Sequence, residues 1–343
     1  MPDIGDELAI PNAPDIPGLV FRPYRDERDL LAIVSISNRA FADAGMDLRV
    51  SVDRIANQMA ARPDYDASRD CFLAEVDGHP VAFGDLEVNK SEDGSEDWTL
   101  WGHVEPEWLG RGLGTAIVRE LERRSRVRAV RLPAGVARRF SALCTEKNGR
   151  STRGELLANE GYNPVLVLLV MVRPTLDEVP DVPLPEGIEV RHVRQGDVQK
   201  ILAADRLVWR PNAPLTNADV EEFLHRKWTD ISLWRVTWQG DEVAGQVKSF
   251  INQDENEQFA RLRGYTEYIS VPSQFRRRGI ARHLLALSLV ELRNRGMSEA
   301  ALITAADNPA LSLYESMGFR TVERQFRVFK AFAAERGAVE TEV

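Results

Sequence analysis

The chain has 343 residues, 43% of them hydrophobic and 28% charged, with a formal charge of −9. That length and apolar content suit one large or two medium cores and exclude disorder as the default. The acidic balance argues against nucleic acid as a partner, because phosphate-backbone binding needs a basic face.

Met1 to Pro17 is polar, broken by prolines and without an apolar signal core, and reads as a flexible N-terminus. The longest apolar run, Val165 to Val172, falls far short of the ~18 residues of a membrane span. A cytoplasmic protein with no membrane partner is expected. Cys71 and Cys144 each sit in an apolar strand-like run without a companion at metal-ligand spacing. Both read as buried small hydrophobes, with no disulfide framework and no metal site.

In chain order, Gly18 to Arg22 reads as a strand and Asp29 to Phe41 as a helix. Cys71 to Val76 and Val81 to Val88 flank Asp77-Gly78-His79-Pro80 as a hairpin. The strand Trp98 to Val104 then leads into Gly110-Arg111-Gly112-Leu113-Gly114 and a helix whose apolar face carries Ile117, Val118 and Leu121. The half ends with a strand (Phe140 to Thr145), a short helix closing on Gly161-Tyr162, and a last strand. Residues Arg173 to Gly187, rich in proline and acid, read as an extended linker.

Beyond the linker the plan repeats. Gly187 to Arg191 matches Gly18 to Arg22, Asp197 to Trp209 is helical, and Leu233 to Trp238 with Val243 to Phe250 form a hairpin around Gln239-Gly240-Asp241-Glu242. Tyr265 to Val271 is a strand running into Arg276-Arg277-Arg278-Gly279-Ile280-Ala281, followed by a helix with Leu284, Leu285, Leu287, Leu289 and Leu292. Ala301 to Ala305, a short helix ending in Gly318-Phe319 and a final strand complete it. The recurrence of β-α-β-β-β-α-β-α-β predicts two α+β domains of one type, 18–172 and 188–332.

The second glycine turn has a physical reading of its own. Gly279 and Ala281 permit a tight turn, the first amides of the helix lack internal partners and face any anion that arrives, and three arginines add positive charge.

With Arg276 to Ala281 between strand and helix, and with Asn308-Pro309-Ala310-Leu311-Ser312-Leu313-Tyr314-Glu315-Ser316-Met317-Gly318-Phe319 downstream, the sequence resembles the GCN5-related N-acetyltransferase (GNAT) superfamily. The whole chain looks like a tandem member, the architecture that includes mycothiol synthase. The resemblance implies two GNAT-type domains, each a mixed, mostly antiparallel twisted sheet flanked by helices. It also implies acetyl-CoA as cofactor and CoA as product.

On that resemblance the pyrophosphate sits on the amides of Arg277, Arg278, Gly279, Ile280 and Ala281 next to Arg276, and the pantetheine arm pairs with the main chain of Ile269, Ser270 and Val271. Asn308 and Tyr314 are expected along the cofactor as well. Tyr314 is the expected acid that returns a proton to the departing thiolate, the alternative being a ring packed in the core. Glu267, two residues ahead of Ile269 on one strand face, reads as general base, as substrate-ammonium anchor or as an ordinary strand salt-bridge partner.

His283 is expected to pack or face solvent, and His225 lies in a polar helical stretch toward the acceptor side. Trp209, Trp228 and Trp234 are candidates for core packing or for a pocket wall.

The first copy reads as degenerate. Aligning the turn glycines sets Leu100 opposite Glu267 and Leu109 opposite Arg276, and aligning Gly161 with Gly318 sets Leu157 opposite Tyr314. Leucine neither moves a proton nor binds an anion. Gly110, Gly112 and Gly114 keep the turn, with Arg111, Leu113 and Val104 beside it, so unproductive binding of acetyl-CoA stays open there. The stretch from Gly112 to Gly161 is also ten residues longer than its counterpart, with Pro133 and Gly135 in the surplus, placed to block the groove or build an interface.

Three functions follow. The first is acetylation of a small-molecule primary amine by the C-terminal half, in a monomer or homodimer. The second is mycothiol-synthase-type acetylation of a cysteinyl amino-sugar conjugate, and the third is a non-catalytic acetyl-CoA-binding module.

Overall fold

The computed structural model describes residues 7–90, 94–133, 135–213, 215–226 and 228–332. The first half runs β1 (Leu19–Pro23), α1 (Glu27–Asp43), α2 (Val52–Ala60), α3 (Ala67–Asp70), β2 (Cys71–Val76), β3 (His79–Lys90), β4 (Glu96–Val104), α4 (Leu113–Ala129), β5 (Arg138–Lys147), α5 (Thr152–Asn159) and β6 (Asn163–Arg173). The second runs β7 (Glu189–Arg191), α6 (Val198–Trp209), α7 (Asn217–Leu224), β8 (Arg235–Gln239), β9 (Glu242–Phe250), α8 (Gln253–Gln258), β10 (Arg263–Ser270), α9 (Ile280–Asn294), β11 (Glu299–Ala305), α10 (Leu311–Ser316) and β12 (Arg320–Ala331). The repeated plan is therefore present, with α2, α3, α7 and α8 as additions.

In the first unit, β1 to β4 form an antiparallel meander, and β4 then pairs with β5 in parallel over Glu96–Thr99 and Arg138–Ser141 alone. Beyond Thr99 the two strands part. The second unit repeats this. β7 to β10 are antiparallel, and β10 pairs in parallel with β11 from Arg263↔Glu299 to Tyr265↔Ala301 before the strands diverge. Parallel strands that separate leave unpaired main chain at the C-terminal end of the sheet, where a helix N-terminus also arrives.

Each core is built on the apolar face of the helix after the glycine turn. In the first unit Leu113, Ile117 and Leu121 pack with Phe72, Trp98, Leu100, Phe140 and Leu157. In the second, Leu284, Leu285, Leu289 and Leu292 are fully buried. Cys71 and Cys144 are free and buried, as small hydrophobes. Among the described residues no helix is long and apolar enough to cross a membrane, and no His, Cys, Asp and Glu cluster could hold a metal.

Four expectations need correction. The compact units do not divide at the linker: of the described residues, 7–167 with 325–332 form one unit and 168–324 the other. Within the second unit, Leu168–Arg173 of β6 pairs antiparallel with β11, whereas β12 from Gln325 onward belongs to the first unit, with Val328 in its core. The last strand of each half thus changes unit midway. The apolar runs reveal that a strand exists but not its partner, because pairing is non-local.

The proline-rich stretch is the second correction. It is irregular but packed: Leu176 is buried and its amide meets Ser298 O at 3.1 Å, while Arg293 donates to Asp177 O at 3.1 Å. Next, the part of the N-terminus that is described, 7–17, is anchored, with Leu8 N donating to Phe21 O at 2.7 Å and Ile10 in the core; residues 1–6 lie outside the described set. Last, the surplus around Pro133 and Gly135 follows the C-terminal end of α4, about 25 Å of helix away from Gly112. Its described residues lie at the far end of that helix from the glycine turn.

Candidate active site

The strand β10 carries the first element of the site. Its register against β9 slips between Glu267 and Ser270, and Tyr268 at the slip has φ +50°. A bulge of this kind turns consecutive side chains out of strict alternation. Glu267, Tyr268 and Ile269 all line a cleft of about 600 Å³ together with Leu302 to Ala305 of β11, Asn308 and Tyr314. The far wall comes from α6 and α7, where Thr216 and Asp219 form a reciprocal capping box that fixes the start of α7.

Glu267 and Tyr314 therefore face one space. Burial pushes the Glu267 carboxyl from its ordinary 4.5 up to about 7, opposed in part by the hydrogen bond that Ile303 N donates to its Oε1 at 3.1 Å. Burial also raises the Tyr314 phenol, and the negative charge of Glu267 adds to that. Of the three readings of Glu267, the strand salt bridge has no support in this geometry, since its contact is to a backbone amide. Tyr314 is 5% exposed, so the ring is packed while still bordering the cleft.

The glycine turn closes the same end of the strands. Arg277 and Gly279 both have left-handed backbone, φ +61° and +83°, and no atom lies within 4 Å of where a Gly279 Cβ would stand. The first intrahelical bond of α9 runs from His283 N to Gly279 O, so the amides of Ile280 and Ala281 precede it. Arg276 donates to Val271 O at 3.0 Å and Arg278 to Glu186 O at 3.2 Å. This is an open, amide-lined and positively charged turn, which suits a pyrophosphate.

Other expected residues have structural duties. Asn308 donates to Thr304 Oγ1 at 2.7 Å and accepts from Ala310 N at 2.9 Å, so it holds the start of α10 and with it Tyr314. Ser270 is buried, while Ile269 and Val271 pack against the core below the turn. His283 meets Val182 O at 2.6 Å, and His225 is exposed at the end of α7. Of the tryptophans, Trp234 is core, Trp228 stacks on Phe250, and Trp209, 57% exposed, lines the cleft.

The corresponding place in the first half is filled. Arg153 donates from Nη1 to Gly102 O and from Nη2 to Leu100 O, both at 2.9 Å, at the stretch of β4 that matches Glu267 to Ile269. Leu100 and Leu157 are 1% exposed and belong to the core. His103, between Phe41 and Phe83, is driven down to about 3 by burial and by the charge of Arg153. At the turn, Gly112 keeps its left-handed φ of +87°, but Pro14 stands 3.4 Å from where its Cβ would be, and Arg111 lies over the Trp108 ring. Leu113 is buried, and a Cβ at Gly114 would strike Leu156 at 2.7 Å. Val104 pairs with Ala82 and is packed against the core.

Two halves with one topology, each with a glycine turn at the mouth of diverging parallel strands, match one family model twice, over 32–152 and 199–319. The chain belongs to the acetyltransferase (GNAT) family. It is a tandem GNAT protein and an N-acetyltransferase.

Among relatives, the mycothiol acetyltransferase of Streptomyces bingchenggensis is 30% identical over 224 residues, covering 62% of this chain and 65% of that protein. The mycothiol acetyltransferase of Geodermatophilus obscurus is 26% identical over 258 residues, 73% of this chain and 79% of that one. A solved GCN5-related N-acetyltransferase from Sphaerobacter thermophilus shares the fold, with a TM-score of 0.68 at 21% identity over 94% of this chain and 97% of that chain.

Sequence reasoning missed Arg153 as the group that fills the first groove. Its signal was present: with Gly161 set on Gly318, Arg153 stands opposite Ala310, a long cation in place of a methyl. Lys248, 2% exposed, was missed too, although a lysine in the apolar strand Val243 to Phe250 is itself a flag.

Proposed function

We propose that the C-terminal half transfers an acetyl group from acetyl-CoA directly to a primary amine of a small molecule. One observation carries this reading: Glu267, with its carboxyl raised to about 7, and Tyr314 line one cleft where β10 and β11 part. A base whose pKa lies near neutrality is suited to accept a proton from an ammonium, and a phenol held protonated is suited to give one.

Acetyl-CoA supplies the thioester. The amides from Arg277 to Ala281 would hold the pyrophosphate, and the main chain from Ile269 to Val271, which is not paired with β11, the pantetheine arm. Glu267 takes the proton of the incoming ammonium. The C–N bond forms as the C–S bond breaks, and Tyr314 donates its hydroxyl proton to the sulfur. The proton collected by Glu267 passes to solvent, and the second proton that the nitrogen sheds as the amide forms replaces the one Tyr314 gave, so the balance is ammonium and thioester to amide, thiol and one proton. In this reading the first half is a scaffold without bound cofactor.

The test is release of CoA thiol by the purified full chain against a panel of amines, aminoglycosides, amino acids and peptide N-termini. Turnover of at least one small amine is expected. No released thiol with any of them, alongside tight acetyl-CoA binding, would leave only a binding role. The relatives named mycothiol acetyltransferase favour a second reading, a cysteinyl amino-sugar conjugate as acceptor. Failure to acetylate that conjugate while other amines turn over would remove it.

A further inference from the structure

The far wall of the cleft contains an ion pair that the transfer chemistry does not use. Lys248 on β9 is 2% exposed, and its ammonium donates to Asp205 Oδ2 on α6 at 2.9 Å. Three rings surround that ammonium: Phe223 at 5.7 Å, Trp234 at 5.8 Å and Tyr268 at 5.2 Å, measured to their centroids. Tyr268 is the left-handed residue of the β10 bulge, and Arg226 holds its hydroxyl at 3.0 Å. Lys248 is thus boxed in and keeps Asp205 in one orientation.

The other oxygen, Asp205 Oδ1, is buried and has no hydrogen-bond partner among the described residues, yet Asp205 lines the same cleft as Glu267 and Tyr314. A buried acceptor left unmet costs about 1–3 kcal/mol, more for a charged group. Rotation cannot relieve it, because the Lys248 ammonium holds Oδ2. A hydrogen-bond donor on a molecule that enters the cleft can supply the partner, because Asp205 lines it.

We infer that Asp205, oriented by Lys248, selects acceptors that carry a second hydrogen-bond donor, a hydroxyl or an ammonium, remote from the nitrogen that is acetylated. This rests on the amine-acetylation reading above. Its strength lies in rejection: a site built to meet a donor discriminates sharply against an analogue lacking it, because the buried oxygen is then left bare. Lys248 acts as a positioning residue, and Asp205 as the group that touches the acceptor.

The experiment compares kcat/KM for matched acceptors, n-alkylamines against ω-amino alcohols and α,ω-diamines of equal length, in the full chain. The wild type is expected to prefer the donor-bearing member by tenfold or more. Asp205→Asn should reduce that preference to under threefold, mainly through KM. Because a lone buried lysine can compromise folding, the double variant Asp205→Leu/Lys248→Met replaces the pair with apolar groups. It should lose the preference as well while still binding acetyl-CoA. Preference retained in both variants, or absent from a wild type that acetylates alkylamines, overturns the assignment of Asp205 and leaves the function standing. A wild type that acetylates no amine removes both.

Discussion

The two halves share a topology, a left-handed turn glycine and a pair of parallel strands that part, and they differ in what fills the gap. In the second half the gap is a cleft bordered by a carboxyl raised to about 7 and a phenol. In the first, Arg153 caps Leu100 O and Gly102 O, leucines stand opposite Glu267 and Tyr314, His103 is held neutral at about 3, and Pro14 lies over Gly112. The two halves therefore share a scaffold and differ in the side chains that fill it. Backbone geometry is maintained by packing that serves stability, whereas proton-transfer groups serve only the reaction and cost stability when buried.

The largest expected effect separates the halves by Tyr314. Tyr314→Phe should lower kcat by about 10²–10³-fold with acetyl-CoA affinity within about threefold. The counterpart Leu157→Tyr in the first half should add no turnover, because the position opposite Glu267 is the buried Leu100. Steady-state kinetics with a binding isotherm checks both, and unchanged turnover in Tyr314→Phe would remove its role as acid.

Glu267→Gln should cost about 10–100-fold in kcat/KM and abolish the rise of activity with pH through about 7, since the wild-type base works only once deprotonated. The same substitution has a readout independent of activity. The folded carboxyl holds its proton up to about 7 while the unfolded one loses it near 4.5, so wild-type stability falls as pH rises through that window. Glu267→Gln should therefore be more stable than wild type at pH 8, by about 3 kcal/mol, with the difference vanishing toward pH 4.5. Denaturant melts at the two pH values measure it.

The smallest effect falls on the first half. Arg153→Ala leaves two carbonyls without their charged donor and should destabilise the fold by about 2 kcal/mol, with CoA release by the second half within about twofold of wild type. A large loss of activity would mean that the first groove takes part in the chemistry.

Much of this contrast was legible in the sequence. Glycine turns, leucine runs and hairpin turns are local signals, and they located both copies of the plan, Glu267 and Tyr314. The exchange of β6 and β12 between units was not, because which edges two apolar strands satisfy depends on contacts far apart in sequence. Asp205 and Lys248 were hidden for a similar reason: they sit on α6 and β9, and only folding brings them to 2.9 Å. Residues 173–187 read as an extended linker because they are rich in proline and acid, yet buried Leu176 and the Arg293 contacts tie them down.

The most direct test of the contrast is calorimetric titration of the full chain with acetyl-CoA. One site per chain is expected, abolished by Gly279→Val and untouched by Gly112→Val in folded protein. Two sites, or one site that survives Gly279→Val and disappears with Gly112→Val, would contradict it.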